Sequence, residues 1–316
     1  MVKYYTRENG RTKELAEPDV GCWVNITAPF TPEELEEVAQ QFDMPLDFLT
    51  DPLDTDERPR YERDEEKRAI IIATPIVNPF EEDIDAIFIT APLGIIITID
   101  HVITITSHEN PVLNLFLENK VKNFDPEDDK LFVLQIMEQA VYRFLNCLKQ
   151  LNQRRNLIEK ELYFSSRNKE LKHLLSIEKS LVYFVSSLSD NELLKMKMKR
   201  TDFLLLGIDE EKVDLFEDII IDNSQALQMA NMYTNILNGT MDAYGSIISN
   251  NLNLTIKRLT TITIILMVPT LVASFMGMNV LLPLADQNQS SFFIILIISL
   301  AFSLILAWYF QRKNLF

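Results

Sequence analysis

Neutral side chains with oxygen or sulfur atoms recur at helical spacing near the end of this chain. Steps of three and four residues separate Thr260, Thr263, Met267, Thr270, Ser274 and Gly277. Such steps place side chains on one face of an α-helix. Asn279 follows and adds an amide oxygen. A ring of neutral oxygens suits hydrated magnesium, which gives up its water reluctantly. The stripe therefore predicts a face that lines water or one that packs closely against another helix.

The stripe lies in the first of two uncharged apolar runs, residues 259–278 and 292–310. Each run is long enough to cross a hydrocarbon core of about 30 Å. The connecting loop, 280–291, contains no lysine or arginine, whereas basic residues flank the pair of runs at Lys257, Arg258, Arg312 and Lys313. The positive-inside rule then predicts a multi-pass protein of the plasma (inner) membrane with both termini in the cytoplasm.

The composition excludes several functional classes. The formal net charge of −16 argues against nucleic acid as a partner, because its phosphates would be repelled. Cys22 and Cys147 are too far apart in the sequence to indicate a disulfide framework or a zinc site. No nucleophile–base pair or phosphate-binding loop stands out, so we expect neither an enzyme nor an organic cofactor. An acidic surface of this kind is suited to attracting cations.

Residues 1–125 are predicted to form a cytoplasmic α/β domain with a mixed sheet. β-Branched runs bounded by proline, glycine or aspartate indicate strands at 68–77, 86–91, 94–99 and 101–106. Thr31 is predicted to cap a helix, with Pro32 at its first position and Glu34 completing a capping box.

Residues 126–258 are predicted to form a helical funnel and stalk, and 259–316 a two-helix transmembrane domain. Eleven of the thirteen prolines precede residue 127, and the next is Pro269. Apart from a break near Gly207, the pattern predicts one helix over 210–279, with two helices broken near Gly239 or Gly245 as the alternative. Each chain supplies a single striped helix, so a pore would require several subunits around an axis.

The residues around the first run resemble those of a known family. Phe275-Met276-Gly277-Met278-Asn279 follows a span containing proline and precedes a short loop, a second span and a basic tail. This arrangement resembles the CorA magnesium transporter family. The likeness extends to Ser249-Asn250-Asn251-Leu252-Asn253, to Lys257-Arg258-Leu259-Thr260, and to the segment from Met44-Pro45 to Glu57-Arg58-Pro59-Arg60.

The resemblance implies a homopentameric α+β membrane protein with a cytoplasmic funnel and a pore lined by the first membrane helix. It implies a selectivity filter at Gly277, Met278 and Asn279. Together with the stripe, it predicts a pore lining of Asn253, Ile256, Leu259, Thr263, Met267, Thr270 and Ser274. It also implies regulatory magnesium sites between subunits, with carboxylate ligands at Asp51, Asp218 and Asp242.

The implied function is magnesium uptake along the membrane potential, gated by cytosolic magnesium. Two departures from the family pattern leave the choice of ion open: Leu284 stands after Pro283 where an acidic residue is usual, and Met276 replaces an aromatic residue. The alternatives are zinc, cobalt or nickel transport on the same scaffold, or a membrane-anchored helical scaffold that conducts nothing.

Overall fold

The computed structural model describes residues 1–8, 10–79, 85–162, 168–207, 209–278 and 289–313. The chain divides into two compact units, Met1–Met241 and Asp242–Phe316. The first unit contains the sheet, the helices packed on it and the beginning of a very long helix. The second contains the rest of that helix and the last helix.

The first unit is built on a seven-stranded mixed sheet, as predicted. Its strand order is β2-β1-β3-β7-β6-β5-β4, in which β3 and β7 pair in parallel and the other neighbours are antiparallel. The strands are β1 Val2–Glu8, β2 Arg11–Leu15, β3 Trp23–Thr27, β4 Arg60–Asp64, β5 Lys67–Val77, β6 Phe88–Ile97 and β7 Val102–Thr106.

The prediction of separate strands at 86–91 and 94–99 was wrong, because β6 runs through Pro92. Pro92 lies opposite Ala73 of β5 in the register of the sheet. The N–H of Ala73 donates to Asn191 Oδ1 at 3.0 Å, and its carbonyl accepts from Asn191 Nδ2 at 2.8 Å, so neither group is directed toward β6. Pro92 therefore occupies a pair that exchanges no backbone hydrogen bonds, where its missing N–H costs nothing.

Helices cover both faces of the sheet because its central strands carry apolar side chains on both faces. Val24, Ile96 and Ile103 pack with α1 (Pro32–Gln41) and α2 (Asp47–Thr50). Their neighbours Trp23, Ile95 and Val102 belong to the core formed with the helices on the other face. Those helices are α3 Pro111–Leu117, α4 Asp129–Leu162 and α5 Asn168–Thr201.

The first helix begins as the sequence predicts. The Thr31 hydroxyl accepts a hydrogen bond from the backbone N–H of Glu34 at 3.3 Å, and the Glu34 carboxylate accepts one from the N–H of Thr31 at 3.0 Å. Pro32 occupies the first turn, where its missing donor is not needed. The capping box is confirmed.

The long helix, α6, runs without a break from Glu210 to Met276. It begins after a turn in which Gly207 has a positive φ of 63°, so the predicted break near Gly207 is confirmed. The alternative of two helices divided near Gly239 or Gly245 is wrong. Within the part of the chain that the structure describes, two helices are long and apolar enough to cross a membrane: α6 and α7 (Gln289–Arg312).

A buried lysine joins α5 to α6 within the first unit. Lys195 is 2% exposed, and its ammonium lies 2.7 Å from Asn223 Oδ1 on α6. Asn223 in turn donates to the backbone carbonyl of Leu188 on α5 at 2.9 Å. Burial lowers the pKa of Lys195 to about 7, against the raising effect of the Glu192 charge. Burial therefore favours the neutral amine, which needs fewer partners than an ammonium with three donors.

This burial predicts a pH-dependent stability. Between pH 7 and 10 the unfolded chain binds a proton at Lys195 that the folded chain does not, so stability should rise with pH by up to about 1.4 kcal/mol per unit. Below pH 7 the effect of this residue should be constant. In thermal melts of the full chain in detergent, Lys195→Met should raise the melting temperature at pH 7 and flatten the profile above it. The exposed Lys197→Met is the control, and equal profiles for the two variants would contradict the prediction.

Candidate functional site

The predicted pore lining lies on one exposed face of α6. Asn253, Ile256, Leu259, Thr263, Met267, Thr270 and Ser274 are all exposed in the single chain. Within the run 259–276 of α6, the side chains that are covered are Thr261, Ile265, Val268, Pro269 and Val272. At about 100° of rotation per residue, the centres of these two sets lie about half a turn apart. The oxygen-bearing stripe therefore lies opposite the covered face.

The covered face of α6 is the one that α7 contacts. The covered residues of α7 also lie on one face, at Ile295, Ser299, Ser303, Leu306, Ala307 and Phe310. Ser299 and Ser303 are 4% and 8% exposed, so the two polar residues of the second span lie at the helix contact rather than toward lipid. Small hydroxyl residues permit close packing of membrane helices.

One hydrogen bond across this contact is made to a backbone carbonyl that Pro269 leaves without its helical partner. Proline has no N–H, so the carbonyl of Ile265, four residues earlier, loses its helical donor. The hydroxyl of Ser303 lies 3.5 Å from that carbonyl oxygen and 3.1 Å from the carbonyl of Ser299. The bond to Ile265 is long and therefore weak. The hydroxyl has one proton, which it shares between these two carbonyls, so it gives Ile265 O partial compensation where hydrocarbon could give none.

The threonines of the exposed face present acceptors to their surroundings. The hydroxyls of Thr263 and Thr270 each donate to the carbonyl four residues earlier, Leu259 and Leu266, at 2.8 Å. Because the hydroxyl proton is used within the helix, the oxygen lone pairs are left to face outward. Such a face can accept hydrogen bonds from the water shell of a cation.

The predicted filter lies only partly within the described residues. After α6 ends at Met276, the N–H of Gly277 donates to Ala273 O at 3.0 Å, and that of Met278 to Phe275 O at 3.3 Å. Asn279 lies outside the described residues, as does the loop through 288. Its predicted role stays a prediction.

The predicted regulatory residue Asp51 lies at the start of a short 3-10 helix, Asp51–Leu53, that follows α2. A close approach to the sheet fixes this segment: a Cβ atom added to Gly94 on β6 would lie 2.5 Å from the Pro52 ring. Only glycine at this position lets Pro52 pack against the strand, so Gly94 helps to position the Asp51 carboxylate.

Asp51 is paired with a cation of its own chain. Its Oδ2 accepts a hydrogen bond from Arg60 Nη2 at 2.5 Å, and Arg60 also contacts Glu57 and, at 2.6 Å, Glu62. Burial raises the pKa of Asp51, and the nearby charges of Asp47, Glu57 and Glu62 add to this rise while Arg60 opposes it. The effect of burial therefore outweighs the favourable charge of the guanidinium.

Asp218 and Asp242, the other two predicted regulatory residues, lie on α6. Asp218 is exposed in the first unit. Burial raises the pKa of the Tyr142 hydroxyl on α4, and the negative charges of Glu138, Asp222 and Asp218 raise it further. Asp242 is exposed at the start of the second unit. Among the described residues, no group of three or more His, Cys, Asp or Glu side chains is placed to hold a metal ion. The single chain thus does not assemble the predicted regulatory sites, which remain predictions for a subunit boundary.

Sequence reasoning missed Arg60 and Ser303 as site residues. Arg60 and Glu62 are two residues apart on β4 and therefore share a face, which is a readable signal. The four-residue step from Ser299 to Ser303 was also readable. Their partners on other elements, Asp51 and Ile265, could be identified only from the fold.

Comparisons with known proteins agree over nearly the whole chain. A sequence model of the CorA-like Mg²⁺ transporter protein family matches residues 19–312. The cobalt/magnesium transport protein CorA of Methanocaldococcus jannaschii is 28% identical over 297 residues, which cover 92% of this chain and 90% of the relative. The complete structure of the CorA magnesium transporter from that organism matches with a TM-score of 0.79 at 26% identity, over 99% of this chain and 98% of the other. The full-length CmaX protein shares the fold, with a TM-score of 0.71 at 16% identity over 99% of this chain and 97% of the other.

The contact between α6 and α7 predicts that replacing each of two similar serines will lower the stability of the helix pair by different amounts. Ser303→Ala removes the donor to the Ile265 carbonyl and should weaken the helix pair by about 0.6 kcal/mol, up to about 1.7 kcal/mol. Ser299 donates instead to Leu296 of its own helix at 2.9 Å, so Ser299→Ala should have a smaller effect. Denaturant unfolding of the full chain in mixed micelles measures both. Equal losses would show that the bond across to α6 contributes nothing specific.

Proposed function

Since this chain belongs to the CorA-like Mg²⁺ transporter family, we propose that it forms a channel that conducts Mg²⁺ into the cell. The electrical potential supplies the free energy. Moving a divalent cation inward across about 100 mV yields about 4.6 kcal/mol, twice the value for a single charge. Mg²⁺ is the transported substrate, and no nucleotide is needed.

The observation that carries this proposal is the exposed oxygen-bearing face of α6, directed away from α7. A lone membrane anchor needs no such face, which argues against the alternative of a scaffold that conducts nothing. One chain contributes one face, so several copies must surround the path. We propose a homopentamer in which this face of each α6 lines the pore, with both termini in the cytoplasm.

The chemistry of the lining supports magnesium. The run 259–278 contains no carboxylate and no lysine, arginine or histidine, so an ion would meet hydroxyl and amide oxygens. Neutral acceptors can bind the water shell of Mg²⁺ without removing it, which suits an ion that dehydrates reluctantly. The Asn279 amide oxygen is the proposed filter, because it can accept hydrogen bonds from the waters bound to the ion.

Cobalt is the second candidate ion. The M. jannaschii relative carries both cobalt and magnesium in its name. Zinc and nickel on the same scaffold are less well supported, because these ions favour imidazole or thiolate ligands and residues 242–316 contain no histidine or cysteine.

Regulation by cytosolic magnesium is the remaining part of the proposal. Asp51 and Asp218 would approach across a subunit boundary, with Asp242 near a second ion. Carboxylate oxygens are ligands that Mg²⁺ accepts. An ion bound there would stabilise the closed arrangement only by binding it better than the open one.

Transport and the filter are tested together in liposomes. The purified protein should conduct Mg²⁺, and flux of Co²⁺, Ni²⁺ and Zn²⁺ measured under the same conditions ranks the ions. Asn279→Ala should abolish or strongly reduce Mg²⁺ flux, because alanine cannot accept a hydrogen bond from bound water. Asn288→Ala, in the same loop, is the control.

Native mass spectrometry in mild detergent should show the same pentamer for the wild type and both variants. A wild-type flux rate in Asn279→Ala would refute the filter role. A monomer or dimer as the dominant species would refute the assembled pore.

Gating is tested by a double variant. Asp51→Ala with Asp218→Ala removes the differential affinity of the closed state for Mg²⁺, so currents should persist at cytosolic Mg²⁺ concentrations that close the parent channel. Recordings from excised patches measure this, and selectivity should be unchanged. If the double variant closes at the same Mg²⁺ concentration as the parent, the sensor lies elsewhere.

A further inference from the structure

The last turns of α7 present a tryptophan with a guanidinium stacked on it. The Cζ atom of Arg312 lies 5.5 Å from the centroid of the Trp308 ring, and the indole is 59% exposed. Stacking orients a guanidinium while its N–H donors stay in the plane of the group, where they can meet an acceptor. Arg312 is itself exposed, so these donors are open to the surroundings of the helix.

Trp308 and Arg312 face away from α6. The α7 residues covered by α6 include Ser299, Ser303 and Phe310. At about 100° per residue, Trp308 and Arg312 lie about half a turn from the centre of that covered side. The oxygen-bearing face of α6 is likewise directed away from α7. The stacked pair is therefore on the far side of the two helices from the proposed pore, where lipid would surround the protein.

A second arginine lies at the same level, on α6. The two helices meet where the Ser303 hydroxyl lies 3.5 Å from the Ile265 carbonyl oxygen, and they run in opposite directions because α7 returns after a short connection. Arg258 precedes Ile265 by seven residues, and Arg312 follows Ser303 by nine. At about 1.5 Å per residue, they are about 11 and 14 Å from this contact. Both arginines thus mark one end of the helix pair, together with Lys313.

The acidic residues of the second unit are remote from this basic end in the sequence. Residues 242–316 contain two of them, Asp242 and Asp286. Asp242 precedes Arg258 by sixteen residues on the same helix, or about 24 Å, which exceeds the screening length of about 8 Å in physiological salt. Asp286 belongs to the connection between the opposite ends of α6 and α7. A second copy of the chain would bring the same basic residues, so it would add positive charge rather than balance it.

We propose that Arg312 and Trp308 form a binding site for the phosphate group of an anionic phospholipid. The inference rests on α7 crossing a membrane, as the proposed function requires, but not on which ion is conducted. Tryptophan and tyrosine side chains favour the headgroup level of a bilayer, so Trp308 and Tyr309, which is 49% exposed, place Arg312 at that level. A guanidinium donates two parallel hydrogen bonds to a phosphate, and basic residues grouped beside a membrane helix attract anionic lipids.

The surface next to this pair favours a lipid over a free anion. Leu304 and Ile305, about one turn before Trp308, are 70% and 62% exposed and lie on the same side of α7. Ile297, three turns before Trp308, is 65% exposed and continues this side. The acyl chains of a bound lipid can pack along this apolar face while the headgroup meets Arg312. Inorganic phosphate could use only the guanidinium.

Emission from Trp308 reports which lipids contact it. The other tryptophan, Trp23, is 0% exposed in the core of the first unit, so lipid cannot reach it. The full chain is reconstituted in vesicles of phosphatidylcholine and phosphatidylglycerol, with bromine on the acyl chains of one lipid or of the other. The ratio of the two quenching efficiencies at equal mole fraction gives the preference for the anionic lipid. We expect a preference of about fivefold, the factor for opposite unit charges at about 4 Å in water.

Three substitutions locate the site. Arg312→Gln should reduce the preference to about one, because it removes the charge that binds the phosphate. Arg258→Gln is the matched control, since it removes the same charge at the same level from α6, and its preference should stay above about threefold. Arg312→Lys keeps the charge without the fork and should give a preference of about two- to threefold. Native mass spectrometry of each variant should show the oligomer of the wild type.

Each other outcome overturns a stated part of the inference. A wild-type preference near one, or a preference that Arg312→Gln leaves unchanged, overturns the site. An equal decrease in Arg312→Gln and Arg258→Gln shows only the general potential of the basic end and also overturns it. Loss of the preference when inorganic phosphate replaces chloride at constant ionic strength overturns the lipid as the occupant. The assay involves no ion flux, so a protein that shows the preference but conducts no Mg²⁺ refutes the proposed function and leaves this inference standing.

Discussion

Backbone hydrogen bonding in hydrocarbon is the constraint on which the rest of the second unit depends. A membrane offers no water to unpaired backbone groups, so α6 must remain helical even where Pro269 removes a donor. Ser303 of α7 offers partial compensation, and it lies on the face of α6 that α7 covers. The opposite face of α6 is then not covered by α7. The oxygen-bearing stripe thus lies opposite the face on which the Ile265 carbonyl finds this donor.

Charge is arranged differently in the two units. In the membrane run the oxygens are neutral, whereas the first unit concentrates carboxylates around a few cations. Neutral acceptors can exchange a hydrated ion quickly because each contact is weak. Carboxylates bind more tightly and suit a site that reports on concentration.

The sequence predicted the elements whose signals are local. The capping box at Thr31, the break near Gly207 and the uninterrupted α6 depend on residues a few positions apart, and all three are confirmed. The division of β6 was wrong because the tolerance for Pro92 comes from Asn191, about a hundred residues away. The contacts of the candidate site could not be predicted from the sequence for the same reason. Neither the bond between Arg60 and Asp51 nor the one between Ser303 and Ile265 is visible without the fold.

The threonines of α6 have a further consequence. Because their protons are bonded within the helix and residues 259–278 contain no group that ionises near neutral pH, the wall of the proposed path keeps the same charge in acidic and alkaline cytoplasm. No side chain of this run gains or loses a charge as an ion passes, so ion entry through it involves no titrating group of the wall. Any sensitivity of transport to pH must then originate outside the run, among groups such as the buried amine of Lys195.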